Sequence, residues 1–117
     1  MKIVKSEEKE WIKSKNYYKK ILFSEEDLKS KGNIVQIVKV DGKTNIEPHY
    51  HKKTSEVFFV LKGNGIIFVG KDKQKRKIGD VIFCEPGEIH GVINDMDEEF
   101  VWLVFKINFI ENDTFWE

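Results

Sequence analysis

His49-Tyr50-His51-Lys52-Lys53-Thr54-Ser55-Glu56 is the stretch whose reading decides the fold. Two histidines two residues apart share a face on a β-strand, where successive side chains alternate. Their Cα atoms would then lie roughly 6.5–7 Å apart, so both imidazoles can converge on one ion. A helical pair would need i, i+4 spacing, which is absent here. Glu56 falls five residues after His51. On one unbroken strand that odd offset would turn it to the opposite face. The polar segment Lys52–Ser55 reads as a turn that resets the parity, so that Glu56 points inward from the next strand. The remaining histidine, His90, lies in a second short stretch after Pro86-Gly87. Together His49, His51, Glu56 and His90 would offer three imidazoles and one carboxylate.

Working outward, the neighbouring segments also read as strands. Asn33–Val40 is rich in β-branched residues and stops at Asp41-Gly42, a turn signal. Ile46–His51 carries the first two histidines and Glu56–Leu61 follows the turn. Gly63-Asn64-Gly65 is a short loop that predicts a hairpin to Ile66–Val69. The basic run Lys71–Lys77 predicts a solvated tip. Gly79-Asp80 and Pro86-Gly87 are turns before and after Val81–Cys84. His90–Asn94 is a strand, Asp95–Glu99 an acidic turn, and Phe100–Phe109 a long last strand. Upstream, Tyr17–Phe23 predicts a strand near a sheet edge, and Ser24 caps a helical turn with Asp27 three residues on. A short strand at Ile3-Val4 and a helical turn over Glu7–Lys15 complete the reading. Many short strands with glycine turns point to an all-β sandwich or barrel.

A chain of 117 residues predicts one domain, with the barrel core over about 33–109 and an N-terminal extension over 1–32. Fifteen aromatic residues, nine of them Phe, suit the inside of a small barrel. Twenty basic and twenty acidic residues balance, which argues against a general nucleic-acid binder. A single cysteine, Cys84, excludes an internal disulfide. The first ten residues hold no apolar core of a signal peptide, and the longest apolar runs, Val57–Leu61 and Phe100–Phe105, fall far short of the roughly 20 residues of a membrane helix. A cytoplasmic, membrane-free protein is the expectation. Because Phe100–Phe105 is apolar without alternating, one of its faces is expected to meet a second subunit in a homodimer.

A lone buried histidine is usually structural, but here all three fall in two glycine-bounded stretches. Parity places His90, Val92 and Asn94 on one face, and Glu56, Phe58 and Val60 on another. Neutral imidazole suits Mn, Fe, Co, Ni, Cu and Zn, and one carboxylate adds charge and hardness. Four protein ligands leave up to two positions of an octahedron open. Tyr50 should point away. Phe58, Val60 and Val92 are either pocket wall or simple barrel filling. Cys84 reads as a buried small hydrophobe, and Lys52 and Lys53 as solvated loop lysines.

The two stretches resemble the two conserved motifs of the cupins, small β-barrels of jelly-roll type. The first runs from Gly42 through His49, His51 and Glu56 to Gly63, with six residues after Gly42 where five are usual. The second runs from Gly79 through Gly87 to His90 and Asn94, with Pro86 adjacent to Gly87 where the family has Pro-x-Gly. The similarity covers about Ile34 to Phe105. It implies a double-stranded β-helix fold with His49, His51, Glu56 and His90 as ligands of one divalent metal per chain, Mn, Fe, Ni, Zn or Co. It also implies that the glycines carry turns and that Asn94 makes a structural hydrogen bond. For function the resemblance implies a small-molecule enzyme of dioxygenase, isomerase or lyase type. A ligand-binding module without turnover is the alternative. No second carboxylate or histidine suggests itself as a general base, which leaves Glu56, off the metal, as the one candidate.

Overall fold

Strict alternation of buried and half-buried residues from Ile34 to Val40 sets one wall of the molecule, with Ile34, Gln36, Val38 and Val40 turned inward. The computed structural model describes residues 1–117 and contains ten strands. They are β1 (Ile12–Lys13), β2 (Tyr18–Phe23), β3 (Ile34–Val40), β4 (Thr44–His51), β5 (Ser55–Lys62), β6 (Ile66–Val69), β7 (Val81–Cys84), β8 (His90–Asn94), β9 (Phe100–Ile107) and β10 (Thr114–Trp116). Six form one antiparallel sheet in the order β1-β2-β3-β9-β5-β7, and four form a second in the order β10-β4-β8-β6. The two sheets enclose a core in which Val40, Val60 and Phe100 are fully buried, with Trp102, Val104, Ile67 and Val92 around them. Burying a ring such as that of Phe100 contributes about 2–3 kcal/mol. The family fold and the all-β class expected from the sequence are what the structure shows.

β9 explains why the Phe100–Phe105 run looked non-alternating. Phe100, Trp102 and Val104 point into the core, while Val101, Leu103 and Phe105 cover the outer face of the larger sheet. That outer face stays apolar across three strands. Phe59 lies beside Val81 and Leu103, and Val57 beside Phe83 and Phe105. Phe59, Val81, Phe83 and Phe105 are all exposed there.

Several local expectations are corrected. Gly63-Asn64-Gly65 does not close a hairpin, because β5 and β6 belong to different sheets and β6 pairs with β8. The loop instead folds over the buried end of Phe100. Gly63 has a φ of +91°, and a Cβ there would sit 2.5 Å from the Glu99 carbonyl oxygen. A Cβ at Gly65 would sit 2.6 Å from the Phe100 ring. Near the N-terminus Ile3-Val4 forms no strand, and Glu7–Lys15 holds only a 3-10 turn over Ser6–Glu8 followed by β1. Apolar periodicity is too sparse there to carry a helix. β9 ends at Ile107 instead of Phe109, and Asn108 takes a left-handed φ of +58° that breaks the strand. The stretch before residue 33 adds β1 and β2 to the larger sheet, and β10 was not anticipated at all. The helical turn is present as α1 (Glu25–Leu28), with a reciprocal capping box between Ser24 and Asp27.

Asn94 ties the end of β8 to the turn that follows. Its amide donates to the carbonyls of Asp41 and Glu98 at 3.1 and 2.8 Å, and its Oδ1 accepts from the Met96 amide at 3.2 Å. The side chain is 1% exposed, so none of these groups has water to fall back on. Asn94→Ala is expected to destabilise the fold by about 2–3 kcal/mol, read as a lower urea midpoint with an unchanged slope.

Candidate metal centre

The imidazoles reach one point because β4 is broken in the right place. Ile46 pairs with Val92 and His49 with His90, so one extra residue is inserted in β4 between the two pairs. Ile46 is buried, and three residues on, His49 would face outward on a regular strand. The bulge at Glu47-Pro48 reverses that parity, and Pro48, which has no amide to give the ladder, suits it. His49, His51 and His90 then stand together, with ring centroids 4.2 Å apart for His49–His90, 5.1 Å for His51–His90 and 5.4 Å for His49–His51. One ring nitrogen from each lies within 4.8 Å of the other two. The turn after His51 carries the chain from the smaller sheet to the larger one, and Glu56 enters from β5 on the opposite wall. Its Oε1 lies 2.8 Å from His51 Nε2 and 3.2 Å from His90 Nε2.

Backbone carbonyls decide what the rings can do. Nδ1 of His49 meets the Glu47 carbonyl at 2.8 Å, Nδ1 of His51 the Asp113 carbonyl at 3.0 Å, and Nδ1 of His90 the Glu88 carbonyl at 3.1 Å. A carbonyl only accepts, so each Nδ1 carries the proton and each Nε2 of the neutral ring presents a lone pair. The His90 Nε2 is buried without a hydrogen-bond partner, since its approach to Glu56 is off-line for one. His51 Nε2 and His90 Nε2 thus both face one carboxylate oxygen, within hydrogen-bond distance for His51 and without a partner for His90. A shared cation, a proton or a metal ion, is what this donor set lacks, and the set fits a divalent transition metal.

The electrostatics agree. Burial and the nearby His90 push His49 down to about 4, so it stays neutral at ordinary pH. Burial also lowers His51, but its bond to the Glu56 carboxylate outweighs this and raises it above its usual value. Burial pushes the Glu56 carboxyl up, yet the close ring nitrogens of His51 and His90 hold it well below the ordinary carboxylate range. Cys84 sits 3.2 Å from His90 Nδ1. Burial and the surrounding carboxylates push it up to about 12, so it is a neutral thiol packed behind the ring.

The four residues singled out from the sequence therefore sit at one place, with His49, His51 and His90 as a cluster and Glu56 against two of them. Of the other candidates, Phe58 and Val92 line the cavity, and Val60 lies behind it in the core. Tyr50 stacks on Phe115, and Lys52 lies over the same ring, away from the centre. Asp113 went unrecognised. Its carboxylate accepts from the amides of Lys52, Lys53 and Thr54 at 2.9–3.0 Å and from the Thr54 hydroxyl at 3.1 Å, which holds the turn between His51 and Glu56. Trp116 of β10 packs on His49 at 4.7 Å. Gln36, Trp102 and Lys106 also line the cavity, which opens to solvent. An acidic residue in a polar tail carries no signal that it will cap a turn some 60 residues away.

Residues 36–106 match the cupin domain family. A curated protein of Aquifex aeolicus is 32% identical over 72 residues, which are 62% of this chain and 60% of that protein. The chain thus spans about three fifths of that relative's length. An oxalate-binding protein of Thermotoga maritima is 27% identical over 88 residues, 74% of this chain and 73% of its own. The crystal structure of a predicted oxalate decarboxylase from Thermotoga maritima superposes with a TM-score of 0.83 at 23% identity, covering 91% of this chain and 98% of that one. At that identity the likeness speaks for the fold alone.

Asp113→Ala is expected to weaken binding of Zn²⁺ about tenfold by calorimetry, since the turn between His51 and Glu56 loses the carboxylate that holds it while the backbone carbonyl on His51 remains. In the intact protein Zn²⁺ affinity is expected to fall as pH drops from 7.5 to 5.5. The cause is His51, whose raised value lets a proton compete for Nε2, whereas His49 does not compete above about 4.

Proposed function

The chain belongs to the cupin domain family, and from that premise we propose that it is a metal-dependent enzyme acting on a small molecule. His49, His51, His90 and Glu56 would hold one divalent transition metal. Bound there, the ion would supply Lewis acidity and free positions for substrate oxygens. The observation that carries this reading is the set of three Nε2 lone pairs, each fixed by a backbone carbonyl, aimed with Glu56 at one point. The chain's own residues do the remaining work. Phe58, Val92 and Trp102 keep bulk water from the site, and Trp116 orients His49.

Between reaction types, the cavity favours metal-centred chemistry of dioxygenase type over sugar isomerisation. An isomerase needs a base that acts while the ligands stay engaged. Glu56 is the only carboxylate in the cavity lining and would have to leave the metal to accept a proton, which leaves Lys106 as the one other basic group on that wall outside the histidines. A second reading, binding without turnover, draws on the Thermotoga maritima relative, which is named for binding oxalate.

We also propose that a second copy of this chain covers the outer face formed by Phe59, Val81, Phe83 and Phe105. β7 is the edge of its sheet, so a two-fold partner would find both an apolar face and free ladder groups at one place.

Protein purified without chelators is expected to hold close to one equivalent of a divalent metal per chain by elemental analysis, and His49→Ala and His90→Ala to lose most of it. Metal-free wild-type protein that takes up none would overturn the reading. With Fe²⁺ restored, oxygen uptake on a panel of small oxygen-rich compounds supports the oxygenase, whereas binding without uptake favours the module. Light scattering is expected to give a dimer for the wild type and a monomer for Phe83→Asp.

A further inference from the structure

Two polar side chains occupy positions that the strand pattern reserves for the core. On β9 the inward stripe runs Phe100, Trp102, Val104 and then Lys106. On the adjacent β3 it runs Ile34, Gln36, Val38 and Val40. Gln36 is 5% exposed, and its side-chain amide makes no hydrogen bond within the protein, yet it lines the cavity. Lys106 lines the same cavity, with no carboxylate within ion-pair distance and no hydrogen bond to its ammonium. Its nitrogen lies 5.0 Å from the centre of the Phe109 ring, which does not neutralise it. Gln36 pairs with Val104 and Ile34 with Lys106, so Gln36 and Lys106 are diagonal neighbours on one face, within reach of a common ligand. Lys106 is also the direct cross-strand partner of Glu56, which puts their Cβ atoms roughly 5 Å apart.

Both polar groups open onto the cavity from positions that the strand alternation turns inward, and neither has a hydrogen-bond partner in the protein. Glu56 is engaged by His51 and His90, so it does not answer the lysine. What fits both donors at once is an oxygen anion that accepts from an ammonium and an amide together. We propose that Lys106 and Gln36 form an anion subsite beside the three histidines, and that the cavity takes a small carboxylate, one end on this pair and another oxygen toward the metal centre. This rests on the metal reading for the second contact only. The first contact belongs to the protein alone.

The test is calorimetric titration of acetate, malonate and succinate, and of neutral malonamide, into Zn²⁺-loaded and chelator-treated protein, with zinc content measured on the same samples. Malonate or succinate is expected to bind the wild type, and Lys106→Met to lower that affinity at least about tenfold without changing zinc content or melting temperature. Gln36→Leu is expected to give a smaller loss, and Lys106→Arg to retain most of the binding. Carboxylates that bind the Lys106→Met protein within twofold of wild type, malonamide that binds as tightly as malonate, or no carboxylate binding to the wild type at all would each overturn the subsite. A wild type that takes up no zinc contradicts the metal centre instead, and the chelator-treated arm still reads the effect of residue 106.

Discussion

Three carbonyl groups set the chemistry of this molecule. Each receives the Nδ1 proton of one histidine, and so each fixes a tautomer and an orientation that the ring would not keep alone. The carbonyls come from Glu47 in the bulge of β4, from Glu88 in the turn before β8, and from Asp113 ahead of β10. None of them is a ligand candidate. They belong to irregular backbone at the ends of strands, where a carbonyl is free of the ladder. Regular sheet would have used these groups for pairing, and the rings would then have been free to choose either tautomer. The cavity therefore depends on where the two sheets stop being regular.

The larger part of that arrangement is legible in the residues. Period-2 spacing of His49 and His51, the polar break before Glu56, and the glycine-framed stretch around His90 are local signals that a strand reading converts into one face. The parity of His90, Val92 and Asn94 survives in the structure because β8 is unbroken. What could not be read is long-range. The bulge at Glu47-Pro48 decides whether His49 faces in or out, and only the pairing of β4 with β8 reveals it. The loop at Gly63–Gly65 looks like a hairpin because two strands flank it, but the chain is crossing from one sheet to the other. Asp113 is an ordinary acidic residue in a polar tail until the turn at Lys52–Thr54 is folded against it.

Lys106 and Gln36 show the same limit from another side. A lysine at the end of an apolar strand and a glutamine among β-branched residues carry no local signal that they line a cavity. Both are turned inward only because β9 and β3 lie side by side in the middle of the larger sheet. Burial lowers Lys106 below its ordinary value, with the Glu56 charge working against that shift. The fully buried Val40, Val60 and Phe100 lie toward the far end, where the polar Asn94 has its amide bonded within the protein.

The convergence of three Nε2 atoms on one ion is tested most directly by long-range ¹H–¹⁵N correlation spectra of the histidine rings during a Zn²⁺ titration. The account predicts three rings protonated at Nδ1 before addition. It further predicts three Nε2 resonances that shift together and stop at one equivalent, with the Nδ1 signals retained. Fewer than three responding rings, or Nδ1 in place of Nε2 as the nitrogen that shifts, would contradict it.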